Sequence, residues 1–257
     1  MNHSWKYFAL AILFLYTSVI QCVAVENKDP VLRIIPWVID VFDHDPGAFT
    51  QGLEFRNGFI YESTGLYDQS SLRVLDTNGS IIKKIAVPGV FSEGCTVMGK
   101  YLYQLTWRET QCIVYSFPEL IYKKALTYKG EGWGLANNTK SILMSNGSDT
   151  IFCRDSSFAI LKKIPVTLDG KPLKNLNELE YARNMLFANV WFDDNIYEIN
   201  LPDGKVKRII DCNNIVKQEK VESDQSVLNG ISYRADTDCF YITGKNWKHI
   251  YCVKIPR

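Results

Sequence analysis

The chain has 257 residues, 46% hydrophobic and 13% aromatic, with 29 Lys and Arg against 28 Asp and Glu. That is core material for one or two packed domains, and it excludes disorder and coiled coil. A formal charge of +1 gives no clustered excess of cations, so no nucleic-acid partner is expected. The histidines are His3, His44 and His249, so chemistry built on several imidazoles, a zinc site or a Ser/His/Asp triad, starts short of parts.

In chain order, His3 and Lys6 precede an apolar run from Tyr7 to Ile20, and Cys22-Val23-Ala24 offers small residues before a cut after Ala24. The run is shorter than the roughly 20 residues that span a bilayer. Residues 1–24 therefore read as a secretory signal peptide and residues 25–257 as one domain, with equal numbers of acidic and basic residues. The expectation is a monomer that is secreted or held in a secretory lumen (a periplasm in a bacterium), with no membrane contact once the signal is cut. Cys95, Cys112, Cys153, Cys212, Cys239 and Cys252 are an even set for an oxidising compartment. Cys239 and Cys252 flank the turn Gly244-Lys245-Asn246 symmetrically and could face each other across a hairpin; separate buried thiols are the other reading. Sequons at Asn78, Asn137 and Asn146 would carry glycans in a eukaryotic secretory pathway.

Past residue 30, short runs of β-branched and aromatic residues alternate with turn residues: Leu32 to Val41, Phe59-Ile-Tyr, Leu72-Arg-Val-Leu, Ile81-Ile-Lys-Lys-Ile, Tyr101-Leu-Tyr-Gln-Leu and Ile113-Val-Tyr. These are strand signals, with turns such as Asp76-Thr-Asn-Gly79 and Pro202-Asp-Gly204. One unit recurs, opening at Thr50-Gln-Gly-Leu53, Ser92-Glu-Gly-Cys95, Gly132-Trp-Gly-Leu135, Leu176-Asn-Glu-Leu179 and Leu228-Asn-Gly-Ile231. With Gln51, Glu93, Trp133, Asn177 and Asn229 taken as equivalent, the steps are 42, 40, 44 and 52 residues. That period fits four-stranded propeller blades. The expectation is an all-β, five-bladed β-propeller, the strand Leu32 to Val41 completing the last blade and closing the ring; a β-sandwich fits a fixed period less well. Asp211 to Ser226 reads as an exposed loop.

Equivalent positions in successive blades lie at one depth around the axis, so the five opening residues should form a ring. A second ring, some 13 to 16 residues further on, contains Thr64, Trp107, Asn146, Trp191 and Lys245. Repeated tryptophans often cement blades. A carboxylate among them is different, because burying Glu93 costs several kcal/mol unless it is paired or protonated. Lys245 is its expected partner. Apolar walls with a few convergent polar groups suit a small-ligand pocket.

Several stretches then carry a family likeness: His44-Asp-Pro-Gly-Ala-Phe-Thr-Gln-Gly-Leu53, Phe91-Ser-Glu-Gly94, Leu105-Thr-Trp107, Gly130-Glu-Gly-Trp-Gly-Leu135, Leu176-Asn-Glu-Leu-Glu180, Ala188-Asn-Val-Trp191, Val227-Leu-Asn-Gly-Ile231 and Phe240-Tyr-Ile-Thr-Gly-Lys-Asn-Trp247. In this order they resemble the plant-type glutaminyl-peptide cyclotransferases, a family of secreted five-bladed propellers. The resemblance implies an acyltransferase that cyclises the N-terminal glutamine of peptides and proteins to pyroglutamate and releases ammonia, with neither metal nor cofactor. It implies Glu93, Gln51, Asn177 and Lys245 as catalytic residues, and Phe49, Phe91, Trp107, Trp133 and Trp191 as substrate-binding ones. Such a reaction needs a group that takes a proton from the attacking amine and returns one to the leaving nitrogen, for which Glu93 is the candidate. A binding propeller without catalysis would use the same pocket.

Overall fold

The computed structural model describes residues 30–221 and 223–257; the signal read at residues 1–24 lies outside them. Strands β1 (Leu32–Ile34) and β2 (Trp37–Asp43) come first. β3 (Thr50–Arg56), β4 (Phe59–Thr64), β5 (Ser71–Leu75) and β6 (Ile81–Ala86) form an antiparallel sheet in chain order. So do β7 (Ser92–Met98), β8 (Tyr101–Thr106), β9 (Gln111–Ser116) and β10 (Tyr122–Thr127), and then β11 (Leu135–Asn137), β12 (Ile142–Met144), β13 (Thr150–Arg154) and β14 (Ile160–Pro165). β15 (Thr167–Leu168), β16 (Lys171–Pro172), β17 (Leu176–Ala182), β18 (Met185–Val190), β19 (Asn195–Asn200) and β20 (Lys205–Asp211) share a larger sheet. The helix α1 (Asn213–Glu219) precedes β21 (Leu228–Arg234), β22 (Cys239–Gly244) and β23 (His249–Lys254), which form a sheet with β2.

The expected five-bladed propeller, closed by a single N-terminal strand, is corrected. Four sheets are four-stranded blades; the remaining sheet has seven strands. The β15–β16 hairpin and β1 both add to β20 in that sheet, β1 running parallel to it from Leu32↔Arg208 to Ile34↔Ile210. The single strand expected from Leu32 to Val41 is likewise two strands. Pro36 has no N–H to donate to a ladder, and the chain changes sheets there: β2 pairs antiparallel with β23 from Trp37↔Lys254 to Asp43↔His249. The N-terminal segment is thus shared between two sheets. Asp211 to Ser226, read as a loop, contains α1, which buries Ile215 and Glu219, four residues apart on one face.

Burial grades outward across each blade. β3 and β7 are buried almost throughout, whereas β6, β10 and β14 are mostly exposed. These outer strands repeat two apolar residues and two lysines: Ile81-Ile82-Lys83-Lys84, Ile121-Tyr122-Lys123-Lys124 and Ile160-Leu161-Lys162-Lys163. Lysines on an unpaired edge oppose strand addition by another chain. The six cysteines are buried free thiols, so the Cys239–Cys252 bridge is not formed. Among the sequons, Asn137 commits its amide nitrogen to Thr96 Oγ1 (2.8 Å) and Val97 O (3.0 Å), whereas Asn78 is exposed in a turn. Among the described residues no helix is long and apolar enough to cross a membrane.

The innermost strands β3, β7, β11, β17 and β21 pack against one another around a common axis. Glycine permits this. A Cβ on Gly52 would lie 2.5 Å from the backbone N of Cys95, and one on Gly94 2.5 Å from that of Leu135. A Cβ on Gly134 would overlap the carbonyl of Asn177. In β17 the equivalent residue is Glu178, whose buried carboxyl accepts the backbone N–H groups of Leu53 (3.3 Å) and Ile231 (2.8 Å). One side chain thereby ties three inner strands together.

A second tie joins the segment before β3 to the turn between β22 and β23. His44 Nδ1 bonds the carbonyl of Trp247 (2.9 Å) and its Nε2 bonds Glu62 Oε1 (2.8 Å). Both partners only accept, so both ring nitrogens donate and His44 is an imidazolium. Thr50 Oγ1 donates to the same carboxylate at 2.7 Å, and the Arg73 guanidinium lies 3.6 Å from its other oxygen. Asn246 N–H donates to Ala48 O (2.7 Å) and His44 N–H to Lys248 O (2.8 Å), completing the latch.

Two predictions follow from these contacts. Gly134→Ala should lose about 3 kcal/mol of stability or fail to fold, since the overlap is with backbone; denaturant unfolding reads this directly. Burial works against charge on His44, but Glu62 outweighs it and raises the pKa above 6.5. The contribution of His44 is then fully present below pH 6.5 and lost as the pH rises through the raised value. His44→Gln should therefore be less stable than the parent by about 3 kcal/mol at pH 6, with the gap between their melting temperatures narrowing in alkali.

Candidate active site

At one end of the inner strands lies a cavity of about 310 Å³, lined by Phe49, Gln51, Phe91, Glu93, Trp107, Trp133, Asn177, Trp191, Gln225 and Lys245. All nine residues singled out from the sequence are among them. The local cause is a repeated irregularity. The register of four of the five inner pairs shifts, at Thr50/Gly52, Ser92/Cys95, Leu176/Leu179 and Leu228/Ile231, so Gln51, Glu93, Asn177 and Asn229 sit at bulges, whereas β11 pairs with β12 without a shift. A bulge turns a side chain out of the ladder. Here it turns Gln51, Glu93 and Asn177 toward the cavity near the starts of β3, β7 and β17, where the inner strands pack closely.

Three residues expected in the rings lie elsewhere. Asn229 is behind the wall, donating to Thr50 O (2.9 Å) and Gln51 Oε1 (3.2 Å). Thr64 bonds Ser71 and Asn146 bonds Ser148. The spacing used for these two was one residue short: a uniform step of 14 leads from Gln51, Glu93, Trp133 and Asn177 to Gly65, Trp107, Gly147 and Trp191. The backbone agrees, because Gly65 N–H bonds Phe49 O and Trp107 N–H bonds Phe91 O, both at 2.8 Å. Both glycines make room for a neighbour's ring: a Cβ on Gly65 would strike Phe91, and one on Gly147 would lie 2.7 Å from Trp133.

The aromatic wall has two arms. Phe49, Phe91 and Trp107 meet edge to face, with centroids 6.1 and 5.5 Å apart, and Trp133 meets Trp191 at 5.4 Å and 89°. All five are half-buried, whereas Gln51, Glu93, Asn177 and Lys245 are almost inaccessible. Gln51 Nε2 donates to Glu93 Oε1 at 3.2 Å. Glu93 and Lys245 make no direct ion pair; the Lys245 ammonium lies 4.9 Å from the Phe49 ring centre and acts on the carboxylate through space. Burial pushes Glu93 well above the usual carboxylate range; Lys245 pulls it down, and Glu131 and Glu109 push it up. Burial also lowers Lys245, against the pull of Glu93. The result is a desolvated acid and a desolvated amine, each closer to neutrality than in water and facing one apolar cavity.

Two neighbouring residues escaped the sequence reading. Gln225 reaches the cavity from the segment after α1. That segment is anchored by Glu219, which accepts from His249 Nδ1 and Tyr251 Oη at 2.9 Å, and by the Trp247 indole on Ser226 O (2.9 Å). No repeat unit contains it, so counting could not find it. Glu131 bonds the indole nitrogens of Trp107 and Trp133; it was visible only as part of a motif. The opposite ends of the inner strands border another cavity, lined by charged groups including Glu54, Arg56, Glu180 and Asp236 and without tryptophan.

Known proteins share this architecture. A family model described as glutamine cyclotransferase matches residues 10–255. A glutaminyl-peptide cyclotransferase of Arabidopsis thaliana is 34% identical over 228 residues, covering 86% of this chain and 71% of its own. The crystal structure of Myxococcus xanthus glutaminyl cyclase superposes with a TM-score of 0.84 at 32% identity, over 88% of this chain and 98% of its own. Because these likenesses run through nearly all of the described sheets, the chain belongs to the glutamine cyclotransferase family.

Proposed function

We propose that the chain is a glutaminyl-peptide cyclotransferase, converting the N-terminal glutamine of peptides and proteins to pyroglutamate with Glu93 as its proton shuttle. The observation that carries the reading is the buried Glu93 carboxylate at the foot of an aromatic cavity, opposite Lys245. The substrate α-amine attacks its own γ-carbonyl carbon. A C–N bond forms, the tetrahedral intermediate collapses, and the γ-nitrogen leaves as ammonia. Glu93, as carboxylate, takes a proton from the attacking amine and delivers it to the departing nitrogen, so the enzyme ends as it began. Its raised pKa brings it nearer that of an α-amine, about 7.7–8.0, which favours transfer in both directions. Lys245 and the amides of Gln51 and Asn177 supply donors for the oxyanion. The phenyl and indole walls exclude water and hold the glutamine side chain folded onto its amine, removing much of the entropic barrier to ring closure. The leader read at residues 1–24 supports a secreted enzyme.

Incubation with a Gln-initiated peptide should remove one ammonia, seen as a mass loss, and chelators should not prevent it. Glu93→Gln should slow turnover by about a hundredfold or more; full activity in that variant would remove Glu93 from the mechanism. If the folded parent gave no mass loss, the pocket would be a binding site without catalysis. Because Glu93 must start ionised, kcat/KM should fall as pH drops through its raised pKa. Lys245→Met takes away the charge that lowers this pKa, so the acid limb should move to higher pH as well as lose rate.

A further inference from the structure

Between the two arms of the aromatic wall, Phe49–Phe91–Trp107 and Trp133–Trp191, stands one carboxylate. Glu131 Oε2 accepts the indole N–H of Trp107 at 2.9 Å and that of Trp133 at 3.1 Å. Its Oε1 accepts from Arg108 Nε at 3.2 Å, and the Arg108 guanidinium lies flat over the Trp107 ring, 3.7 Å from its centre. The two indoles come from different blades, Trp107 following β8 and Trp133 preceding β11, so the backbone alone does not fix the angle between them. The Glu131 side chain is 38% exposed and sits at the rim.

We propose that Glu131 is the positioning residue of the pocket, joining the two aromatic arms by holding both indole N–H groups on one oxygen, so that Trp107 and Trp133 present apolar ring surface to the substrate side chain. The chemistry is specific. An indole N–H is a donor with no acceptor capacity, and left unmet at a half-buried position it seeks water or the substrate amide. A carboxylate can serve two such donors on one oxygen and keep a second for Arg108, whereas a neutral amide offers one acceptor oxygen and two competing N–H groups. Hydrogen bonds to a charged acceptor are also the stronger kind. Hence the charge, besides the shape, is part of the joint.

The same charge reaches the reaction centre. Beyond burial, the groups acting on Glu93 are Lys245, which favours its ionised form, and Glu131 and Glu109, which oppose it. The phenols of Tyr67 and Tyr128 also lie within electrostatic reach, and the Gln51 amide donates to it directly. Glu109 is itself held by Tyr67 Oη (2.9 Å). Removing Glu131 therefore does two separable things: it frees the indoles, and it lets Glu93 ionise at lower pH.

The proposal rests on the cyclisation reading for its kinetic arm and on the free protein for its other arm. Glu131→Leu removes both effects, and should raise KM for a Gln-initiated peptide about tenfold while moving the acid limb of kcat/KM to lower pH. Glu131→Gln keeps one acceptor without charge, so the limb should shift equally with a smaller rise in KM. Glu131→Asp keeps the charge on a shorter arm, so KM should rise with the limb in place. In the unliganded protein, near-ultraviolet circular dichroism and the indole N–H Raman bands should show Trp107 and Trp133 released in Glu131→Leu, with the far-ultraviolet spectrum unchanged. If Glu131→Leu and Glu131→Gln both kept KM within about twofold and the limb unmoved, the proposal would be overturned. Unchanged indole bands in Glu131→Leu would overturn it as well. A parent that released no ammonia, with indole bands that still changed, would sink the cyclisation reading and leave the joint standing.

Discussion

Around the axis the inner strands approach so closely that a single methyl group at Gly52, Gly94 or Gly134 would meet the neighbouring backbone, and the site depends on this contact. A strand that must present glycine at one position loses a side chain there and gains backbone proximity. The residue just before it, at the bulge, is turned out of the ladder into the space above the contact. Gln51 and Glu93 are those residues; Trp133, next to Gly134, precedes β11, whose pairing runs without a shift. Glu178 is the exception that fits the same constraint: lacking glycine, β17 sends its side chain across to β3 and β21, and the carboxyl takes two of their N–H groups. The pocket floor is therefore as rigid as the strands that form it.

That rigidity governs the electrostatics. Glu93 and Lys245 are both nearly inaccessible, yet do not touch, so neither gains the full stabilisation of an ion pair and both are shifted toward their neutral forms. Direct contact would hold the carboxylate ionised and make it a poor base, whereas complete isolation would keep it protonated. Separation across an apolar cavity gives an intermediate condition suited to proton transfer in both directions. The His44 latch matters here because it fixes the turn that carries Lys245 against the segment that carries Phe49, and so sets that separation.

Much of this was legible in the sequence, for a physical reason. A repeat that places one side chain per blade at one depth writes its site into the spacing, and Gln51, Glu93, Trp133 and Asn177 emerge from steps near 42 residues. What escaped departs from the repeat. Pro36 breaks a strand that composition alone shows as continuous, and the β15–β16 hairpin has no counterpart in the other sheets. Counting 13 residues on from Gln51 and Trp133 leads to Thr64 and Asn146, whereas the structure uses the following glycines to admit a ring from elsewhere. Gln225 arrives from the segment after α1, outside any blade, and the pairing of Glu131 with two indoles depends on side-chain direction, which spacing does not encode.

The division of labour between inner strands and connections explains how a carboxylate beside an open cavity is desolvated. Gln51, Glu93 and Asn177 are set at the starts of β3, β7 and β17 and Lys245 just past the end of β22, all nearly inaccessible. The aromatic groups come mainly from the segments beyond the strand ends, half-exposed, and leave the cavity open to a chain end. A peptide N-terminus can thus approach along rings that lose little hydration on contact, and meets the acid only at the bottom. On the proposed reading, the fold itself desolvates Glu93 before any substrate arrives, and what is left to substrate binding is orientation.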